Sequence, residues 1–258
     1  MTANGKRART TLDPLHQFQI TPIVSIIVNG VDVSFSNSAL FMALAVGVIY
    51  TLLVYGMKRG ALVPGRLQSL AEMFYEFIAN MVRENAGQDA RPYFPFVFSI
   101  FMFILLGNML GMVPGSFTFT SHIIVTFALA AAVFVFVTVL ALIKHGLHFF
   151  TFFMPHGVSL ALAPILVPIE ILSYLSRPVS LAIRLFANMM AGHTMMKVFA
   201  GFSVLMGGAM GTAGYAAGIL PLSINVALVG FEILVAFLQA YVFTILTCLY
   251  IRDALELH

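Results

Sequence analysis

The sequence is poor in charge and cysteine and has no tryptophan. Only 9% of its 258 residues are charged and 60% are hydrophobic, and the mean hydropathy is +1.00. This composition excludes an ordinary soluble domain and predicts an all-α polytopic membrane protein. The single cysteine, Cys248, excludes an intrachain disulfide and argues against a thiolate metal site. Without tryptophan, tyrosine and phenylalanine have to supply any aromatic belt at the membrane surface.

Basic residues are also few and scattered. The net charge is +3 and no run of lysine and arginine is dense enough to predict nucleic-acid binding. The basic residues at positions 6–9 precede the polar sequence TTLDPLHQF, so no cleavable leader is expected. Residues 1–34 are interpreted as a polar tail, in which VNGVDV at 28–33 predicts a short hairpin.

The first helical segments differ in polarity. Residues 35–57 carry no charge and are long enough for one transmembrane helix of roughly 20 residues. Lys58 and Arg59 follow them, which places that end on the cytoplasmic side by the positive-inside rule. Residues 64–84 predict an amphipathic helix at the interface. Its apolar positions recur at spacings of three and four residues: Leu67, Leu70, Phe74, Phe77 and Met81.

A transmembrane hairpin is predicted for residues 93–144. The stretch contains no charge before its last residue, and Pro-Gly-Ser at 114–116 interrupts it. Asn108 and His122 are polar groups near that break. Each either lines a water path or forms an interhelical hydrogen bond.

The last third predicts a long helical hairpin over residues 160–251. A helix over 160–199 would be about 60 Å long, twice the thickness of the bilayer core, and therefore has to tilt steeply. The glycine-rich residues 201–218 predict a loop, and residues 221–251 predict the returning helix. A connector over 144–157 precedes the hairpin. Its histidines at 145, 148 and 156 are too loosely spaced, and too far from any carboxylate, to favour a metal site.

Charged residues within this apolar part of the chain are rare enough to be informative. Arg184 lies between LAI and LFA, and a guanidinium stays protonated at any physiological pH. Burying such a charge at bilayer depth costs about 3 kcal/mol or more, so it predicts a functional site. Arg184 therefore needs an anion, a water-filled cavity or a mobile partner. The full set between positions 92 and 251 is Lys144, Glu170, Arg177, Arg184, Lys197 and Glu232.

Helical geometry groups the polar residues around Arg184. At about 100° per residue, Glu170, Arg177 and Arg184 share one face, and Asn188 lies near it. His193 lies about 13 Å beyond Arg184 and half a turn away.

In the returning helix, Glu232 and Gln239 are again seven residues apart. A hairpin can bring His193 and Glu232 together, and such a pair passes protons near neutral pH. The pattern predicts two acid–base stations separated by a fixed positive charge, which blocks a direct leak. Since no partner for Arg184 is evident in this chain, a carboxylate on another protein is expected.

Two structural alternatives are left open. Arg184 could form a static intramembrane ion pair with Glu232 or Glu170. Arg177, which precedes Pro178, could equally be a snorkelling or structural cation.

The motifs resemble subunit a of F-type ATP synthases. SRPVSLAIRLFANMMAGH at 176–193 and FEILVAFLQAYVFTIL at 231–246 are the most specific matches. The likeness extends over nearly the whole chain through DPLHQF (13–18), VPGRLQSLAEMFYEF (63–77) and NMLGMVPGSFTFT (108–120).

This resemblance implies roles for individual residues. Arg184 matches the family's essential arginine, which faces carboxylates of a rotating ring, and Glu170 matches the glutamate of the cytoplasmic half-channel. Several bacterial members have Glu and His where this chain has His193 and Glu232, so the acid and the imidazole are exchanged. The remaining matches are with polar residues of the other half-channel and of the arginine's surroundings: Asn188, His193, Glu232 and Gln239. A supporting role is expected for Arg177, Ser173, Asn108 and His122.

The resemblance also implies partners and a location. They are a ring of carboxylate-bearing subunits c, the peripheral-stalk subunit b, the other synthase subunits and membrane lipid. The chain is expected in a bacterial inner membrane, or alternatively a mitochondrial one, as a non-catalytic channel subunit without metal or cofactor. No phosphate-binding glycine loop ending in Lys-Ser/Thr is present in the sequence.

Other functions remain as alternatives. A secondary transporter could use Arg184 for an anionic substrate, but it predicts paired broken segments in two halves, which the sequence lacks. An intramembrane metalloenzyme predicts tight histidine spacing. A purely structural stator would leave Arg184 inert.

Overall fold

The computed structural model describes most of the chain. The described residues are 18–25, 27–28, 31–32, 34–58, 63–113, 115–146, 149, 163–209 and 211–256. Within them the chain forms six α-helices and four very short strands.

Two antiparallel strand pairs precede the first helix. The strands are β1 (Pro22–Val24), β2 (Ile27–Val28), β3 (Val31–Asp32) and β4 (Phe35–Ser36). The pairing of β2 with β3 confirms the predicted hairpin, although the turn at 29–30 lies outside the described residues. The pairing of β1 with β4 was not predicted, because each strand is too short to show an alternating pattern.

The helices account for the apolar segments of the sequence. They are α1 (Asn37–Met57), α2 (Arg66–Ala86), α3 (Phe94–Gly111), α4 (Ile123–His145), α5 (Ala163–Ala209) and α6 (Gly211–Leu255). All of these except α2 lie in segments that are long and apolar enough to cross a membrane. The fold is therefore that of an all-α polytopic membrane protein, as the composition predicted.

The amphipathic helix α2 buries one face and exposes the other. Ala71, Ile78 and Met81 are buried, while Glu72 and Glu76 are exposed. Its end is set by Gly87, whose φ of 82° lies in the left-handed region that glycine adopts without strain. A 3₁₀ segment, Gln88–Tyr93, then leads into α3.

Glycines allow the chain to fold back closely after α3. A Cβ added to Gly107 would lie 2.4 Å from the ring of Phe119, which is fully buried. A Cβ added to Gly111 would lie equally close, at 2.4 Å, to the Thr118 hydroxyl. Only a hydrogen at these two positions leaves room for the returning segment.

The prediction of a loop at residues 201–218 is wrong. Helix α5 continues to Ala209 and α6 already begins at Gly211, so most of this stretch is helical. In hydrocarbon the helix satisfies every backbone group, and this requirement outweighs the weak helix propensity of glycine. The glycines serve close packing instead, since a Cβ on Gly218 would lie 3.1 Å from the carbonyl oxygen of Ser203.

The connector before α5 lies largely outside the described residues. His148 and His156 belong to that part, so the structure does not test their role. His145 is described at the end of α4, and its Nε2 lies 3.0 Å from the carbonyl oxygen of Ala254.

The contacts divide the chain into two compact units. The first contains Met1–Ala45, Leu105–His122 and Phe186–Leu238, and the second contains Val46–Ile104, Ile123–Leu185 and Gln239–His258. Helices α5 and α6 each contribute residues to both units. A single membrane domain over residues 1–258 therefore stays a prediction.

Candidate functional site

A buried acid–imidazole pair lies in the first unit. His193 on α5 and Glu232 on α6 are only 5% and 3% exposed, and His193 Nδ1 contacts Glu232 Oε1 directly. The helical hairpin thus brings together the two residues that its sequence predicted to meet.

The other nitrogen of the imidazole faces the turn after α3. His193 Nε2 lies 2.6 Å from Thr118 Oγ1 and 3.1 Å from the carbonyl oxygen of Gly111. The Thr118 hydroxyl lies 3.1 Å from the same carbonyl and can donate to it. The ring of Phe18 stacks on the imidazole with a centroid distance of 6.4 Å. We call His193, Glu232, Thr118 and Gly111 the His193 cluster.

Space for the Glu232 carboxylate is provided by a glycine. A Cβ added to Gly192 would lie 2.7 Å from Glu232 Oε1 and 2.8 Å from its Cδ. Any larger residue at 192 therefore has to displace the carboxylate from its contact with His193.

Several buried polar atoms of the first unit accept or donate no hydrogen bond within the described residues. Burying such atoms costs free energy unless water or another group bonds to them. They are Glu232 Oε2, Asn108 Oδ1, Ser116 Oγ, Thr120 Oγ1, His122 Nε2 and Asn225 Oδ1. Of these atoms, Glu232 Oε2 belongs to the His193 cluster itself and is suited to bind a water molecule.

The two polar residues of the predicted hairpin have different surroundings. Asn108 is fully buried and donates to the carbonyl oxygen of Ala236, 3.3 Å away. His122 is half-buried and stacks on Phe117 with a centroid distance of 5.2 Å. Burial lowers the pKa of His122 from its ordinary value of 6.5, because an imidazolium loses hydration there.

A separate ionic cluster lies in the second unit. Arg177 Nη1 lies 3.1 Å from Asp253 Oδ2. The guanidinium carbon lies 5.3 Å from the Tyr174 ring centroid and 5.0 Å from that of Tyr250. Tyr174 is itself held by a 2.7 Å hydrogen bond with Thr138 on α4. Through these contacts Arg177 joins α5 to α6 within the second unit, while its role stays a prediction.

Arg184 contrasts with Arg177. Its side chain is exposed and belongs to none of the ion pairs that the described residues form. The static pairs with Glu232 or Glu170 that the sequence left open are therefore not seen in the described structure. Glu170 is half-buried on the same helix and is likewise outside those ion pairs.

The remaining predicted residues occupy both long helices. Asn188 is exposed on α5, four residues beyond Arg184. Gln239 is 3% exposed on α6. Ser173 is exposed, and its carbonyl oxygen accepts a 2.7 Å hydrogen bond from the Ser176 hydroxyl. The structure groups these residues by helix and burial but assigns no chemistry to them.

Sequence reasoning missed the groups that orient the charged residues. Thr118 contacts His193, 75 positions away in the sequence, and Asp253 contacts Arg177, 76 positions away. Thr118 lies in the motif NMLGMVPGSFTFT at 108–120, but a hydroxyl side chain next to a turn is too common to indicate a functional residue. For Thr118, the only signal in the sequence was a hydroxyl side chain in a largely apolar segment.

The chemistry that the paired side chains support is acid–base chemistry. Within the described ranges, no group of three or more histidine, cysteine, aspartate or glutamate side chains is placed to hold an ion. A carboxylate in contact with an imidazole can exchange a proton with it, and the neighbouring polar atoms can pass it on through water.

Comparison with known proteins agrees with these observations. The profile of the family described as ATP synthase A chain matches residues 39–252. The ATP synthase subunit a of Parvibaculum lavamentivorans is 57% identical over 95% of this chain and 94% of its own length. The subunits a of Granulibacter bethesdensis and Rhodospirillum rubrum are 54% and 52% identical, over 97% and 95% of this chain and 99% of their own lengths. With a profile match over most of its length and relatives that align along nearly all of theirs, the chain belongs to the ATP synthase A chain family.

Proposed function

We propose that this chain is the proton-conducting stator subunit of a rotary ATP synthase. It passes protons through two offset half-channels to and from carboxylates on a rotating ring of subunits c. ATP synthesis itself takes place on other subunits of the complex. The observation that carries this proposal is the buried contact between His193 and Glu232.

The hydrogen-bond geometry of the His193 cluster supports a single mobile proton for this pair. The Gly111 carbonyl can only accept, and it lies near both His193 Nε2 and the Thr118 hydroxyl. With Nε2 donating toward these acceptors, Nε2 keeps its hydrogen. The second proton is then shared between His193 Nδ1 and Glu232, and either side can release it. Such a pair can accept a proton from one direction and deliver it in another.

The surroundings of the pair support a path through the first half-channel. Glu232 Oε2 is buried and has no hydrogen-bond partner among the described residues, so it is the oxygen open to water or to the next carrier. Asn108 Oδ1 and Thr120 Oγ1 are further buried oxygens of the same unit that have no hydrogen-bond partner among the described residues. In the second half-channel, the half-buried Glu170 supplies the titratable group.

Arg184 separates the two paths and requires a partner. Because it is exposed on an apolar helix without an ion pair in the described structure, we place its counter-charge on another subunit of the complex. A carboxylate that moves past Arg184 on a ring subunit loses its proton there, since the guanidinium stabilises the ionised form. The same positive charge repels protons that would otherwise cross directly between the half-channels.

The proposed setting is a bacterial inner membrane. In the described part of the chain, five segments are long and apolar enough to cross a membrane, and the relatives named above come from bacteria. Subunit b of the peripheral stalk is the proposed stationary partner. Within the described contacts, no observation favours the alternative of an anionic-substrate transporter.

The test of this proposal moves the Glu232 carboxylate without removing it. In Gly192→Ala the new Cβ has to push Glu232 Oε1 aside, which the flexible side chain can do at little cost in stability. A misplacement of about 1 Å can slow a reaction by about 100-fold, so we expect ATP-driven proton pumping to fall by about tenfold to 100-fold. The measurement is acidification of inverted vesicles containing the intact complex, with membrane-bound ATPase activity as the check on assembly.

A second glycine on the same helix provides the control. Nothing lies within 4 Å of a Cβ added to Gly208, so Gly208→Ala is expected to pump at the wild-type rate. Full pumping by Gly192→Ala would show that the contact with His193 is not used and would remove the basis of the proposal.

The Thr118 hydroxyl is expected to position His193. Thr118→Val keeps the shape but removes the group 2.6 Å from Nε2, so Nε2 loses one of its two polar contacts. We expect pumping to fall by about threefold to tenfold with a shifted pH profile, and Thr118→Ser to recover most of it. A Thr118→Val complex with unchanged rate and pH profile would show that the Thr118 hydroxyl is not needed to orient the ring.

A further inference from the structure

The second unit contains an open, positively charged cavity that the ion path does not use. Its volume is about 580 Å³, within the range of small-molecule sites. Helix α2, the 3₁₀ segment and the first turn of α3 line it, with Tyr75, Asn80, Arg83, Arg91 and Phe94 among the lining residues.

Two guanidinium groups give the cavity its charge. Arg83 and Arg91 are exposed, and neither belongs to an ion pair in the part of the chain that the structure describes. Arg83 Nη2 donates a 3.1 Å hydrogen bond to Asn80 Oδ1, which leaves its other N–H groups available. Two permanent positive charges at one cavity favour an anion that can accept several hydrogen bonds, and phosphate is such an anion.

The rest of the lining is apolar and aromatic. The rings of Tyr75 and Phe94 meet edge to face with a centroid distance of 4.8 Å, and Pro92 and Pro95 lie beside them. A free inorganic anion would gain nothing from this surface. A molecule that joins a phosphate to an apolar body would use both parts of the cavity.

The position of the cavity along the chain indicates where such a molecule comes from. Arg91 and Phe94 belong to the first residues of the span Gln88–Gly111, and α2 is amphipathic. The start of a span lies where hydrocarbon gives way to lipid headgroups, and basic pockets at that depth bind anionic headgroups.

We propose that this cavity binds an anionic phospholipid. The phosphate lies between the guanidinium groups of Arg83 and Arg91, and the glycerol and upper acyl chain contact Tyr75 and Phe94. The site is separate from the proposed ion path, so its test does not depend on proton pumping.

The test uses the intact complex in phosphatidylcholine nanodiscs with a photoactivatable phosphatidylglycerol. Labelled peptides of this chain are mapped by mass spectrometry. We expect labelling around Tyr75 and Phe94 that unlabelled phosphatidylglycerol suppresses and that phosphatidylcholine or millimolar inorganic phosphate does not. One basic residue near an anionic surface contributes about a fivefold preference, so Arg83→Gln with Arg91→Gln should reduce labelling by about 30-fold.

Matched variants separate this site from general attraction to the membrane. Arg66→Gln removes an exposed arginine of the same helix that does not line the cavity, and it should label as wild type does. Arg83→Lys with Arg91→Lys keeps both charges and should retain most of the labelling, which controls for folding.

Three results would overturn the proposal. They are equal labelling of the wild-type and double-glutamine complexes, suppression by inorganic phosphate, and labelling that appears only after other subunits have been stripped from the complex. The second would show a site for a free anion, and the third would show that an acidic surface of another subunit occupies the cavity.

Discussion

Arg184→Ala is expected to abolish ATP-driven proton pumping while leaving assembly of the complex intact. The side chain is exposed and outside the ion pairs of the described structure, so its removal breaks no packing or pairing that holds the helices together. The loss is instead electrostatic, because a ring carboxylate that passes position 184 no longer meets a charge that favours its ionised form. On the proposed mechanism, loss of the positive charge also allows protons to cross directly between the half-channels.

The measurement combines three readings on inverted vesicles. Pumping should fall to background, membrane-bound ATPase activity should persist, and passive proton leak through the membrane sector should rise. Arg184→Lys keeps a cation but loses the planar fork of donors, so partial or no recovery of pumping is expected with a smaller leak.

Arg252→Ala serves as the control for Arg184. It removes an exposed arginine on α6 whose i,i+4 pair with Glu256 contributes little, and it should pump at nearly the wild-type rate. Undiminished pumping by Arg184→Ala would make this arginine inert and leave the proposed separation of half-channels without its basis.

Glu232→Gln is expected to lower the pumping rate by about 100-fold or more. Loss of a positioned general acid–base group costs about 100-fold to 10,000-fold in proton transfer. The amide has the same shape as the carboxylate, and its NH2 group can donate to His193 Nδ1, so the buried helix contact is kept. Only the capacity to take and release a proton is lost. Stopped-flow acidification of inverted vesicles measures this rate.

Glu256→Gln is the matched control, since that carboxylate is half exposed near the end of the same helix. Its pumping rate should not change. If Glu232→Gln pumped at the wild-type rate, the proton would have to travel without this carboxylate, and the assignment of one shared proton to the pair would be wrong.

A variant that exchanges the two residues tests whether pumping needs only one acid beside one imidazole, or also needs each group at its present position. His193→Glu combined with Glu232→His keeps one acid beside one imidazole, so it should pump faster than either single change. Recovery should remain incomplete, because the new carboxylate at 193 would face the Gly111 carbonyl, where His193 Nε2 now lies.

The segments and their polarity could be predicted from the sequence because they follow from hydropathy and length. Helices α1 to α4 begin and end within a few residues of the predicted positions. The amphipathic pattern of α2 was likewise readable from its spacing. The glycine-rich stretch was not, since the helix-breaking tendency of glycine in water does not carry over to close-packed helices in lipid.

By itself, the sequence determined which residues are costly in a membrane. Arg184, Glu170 and Glu232 stand out because a charge in hydrocarbon costs free energy wherever the helices pack. The motifs around them were also enough to indicate the family. These charged residues and motifs can be recognised from composition and from the order of neighbouring residues in the sequence.

The tertiary structure decided which of these groups have partners. His193 contacts Glu232 and Thr118, and Arg177 contacts Asp253, across 39 to 76 positions of sequence. Short-range patterns cannot rank such pairings, because the rotation and register of two packed helices depend on glycines and side chains along their whole length. Those contacts distinguish Arg177, which is paired with Asp253, from the exposed Arg184 on the same helix.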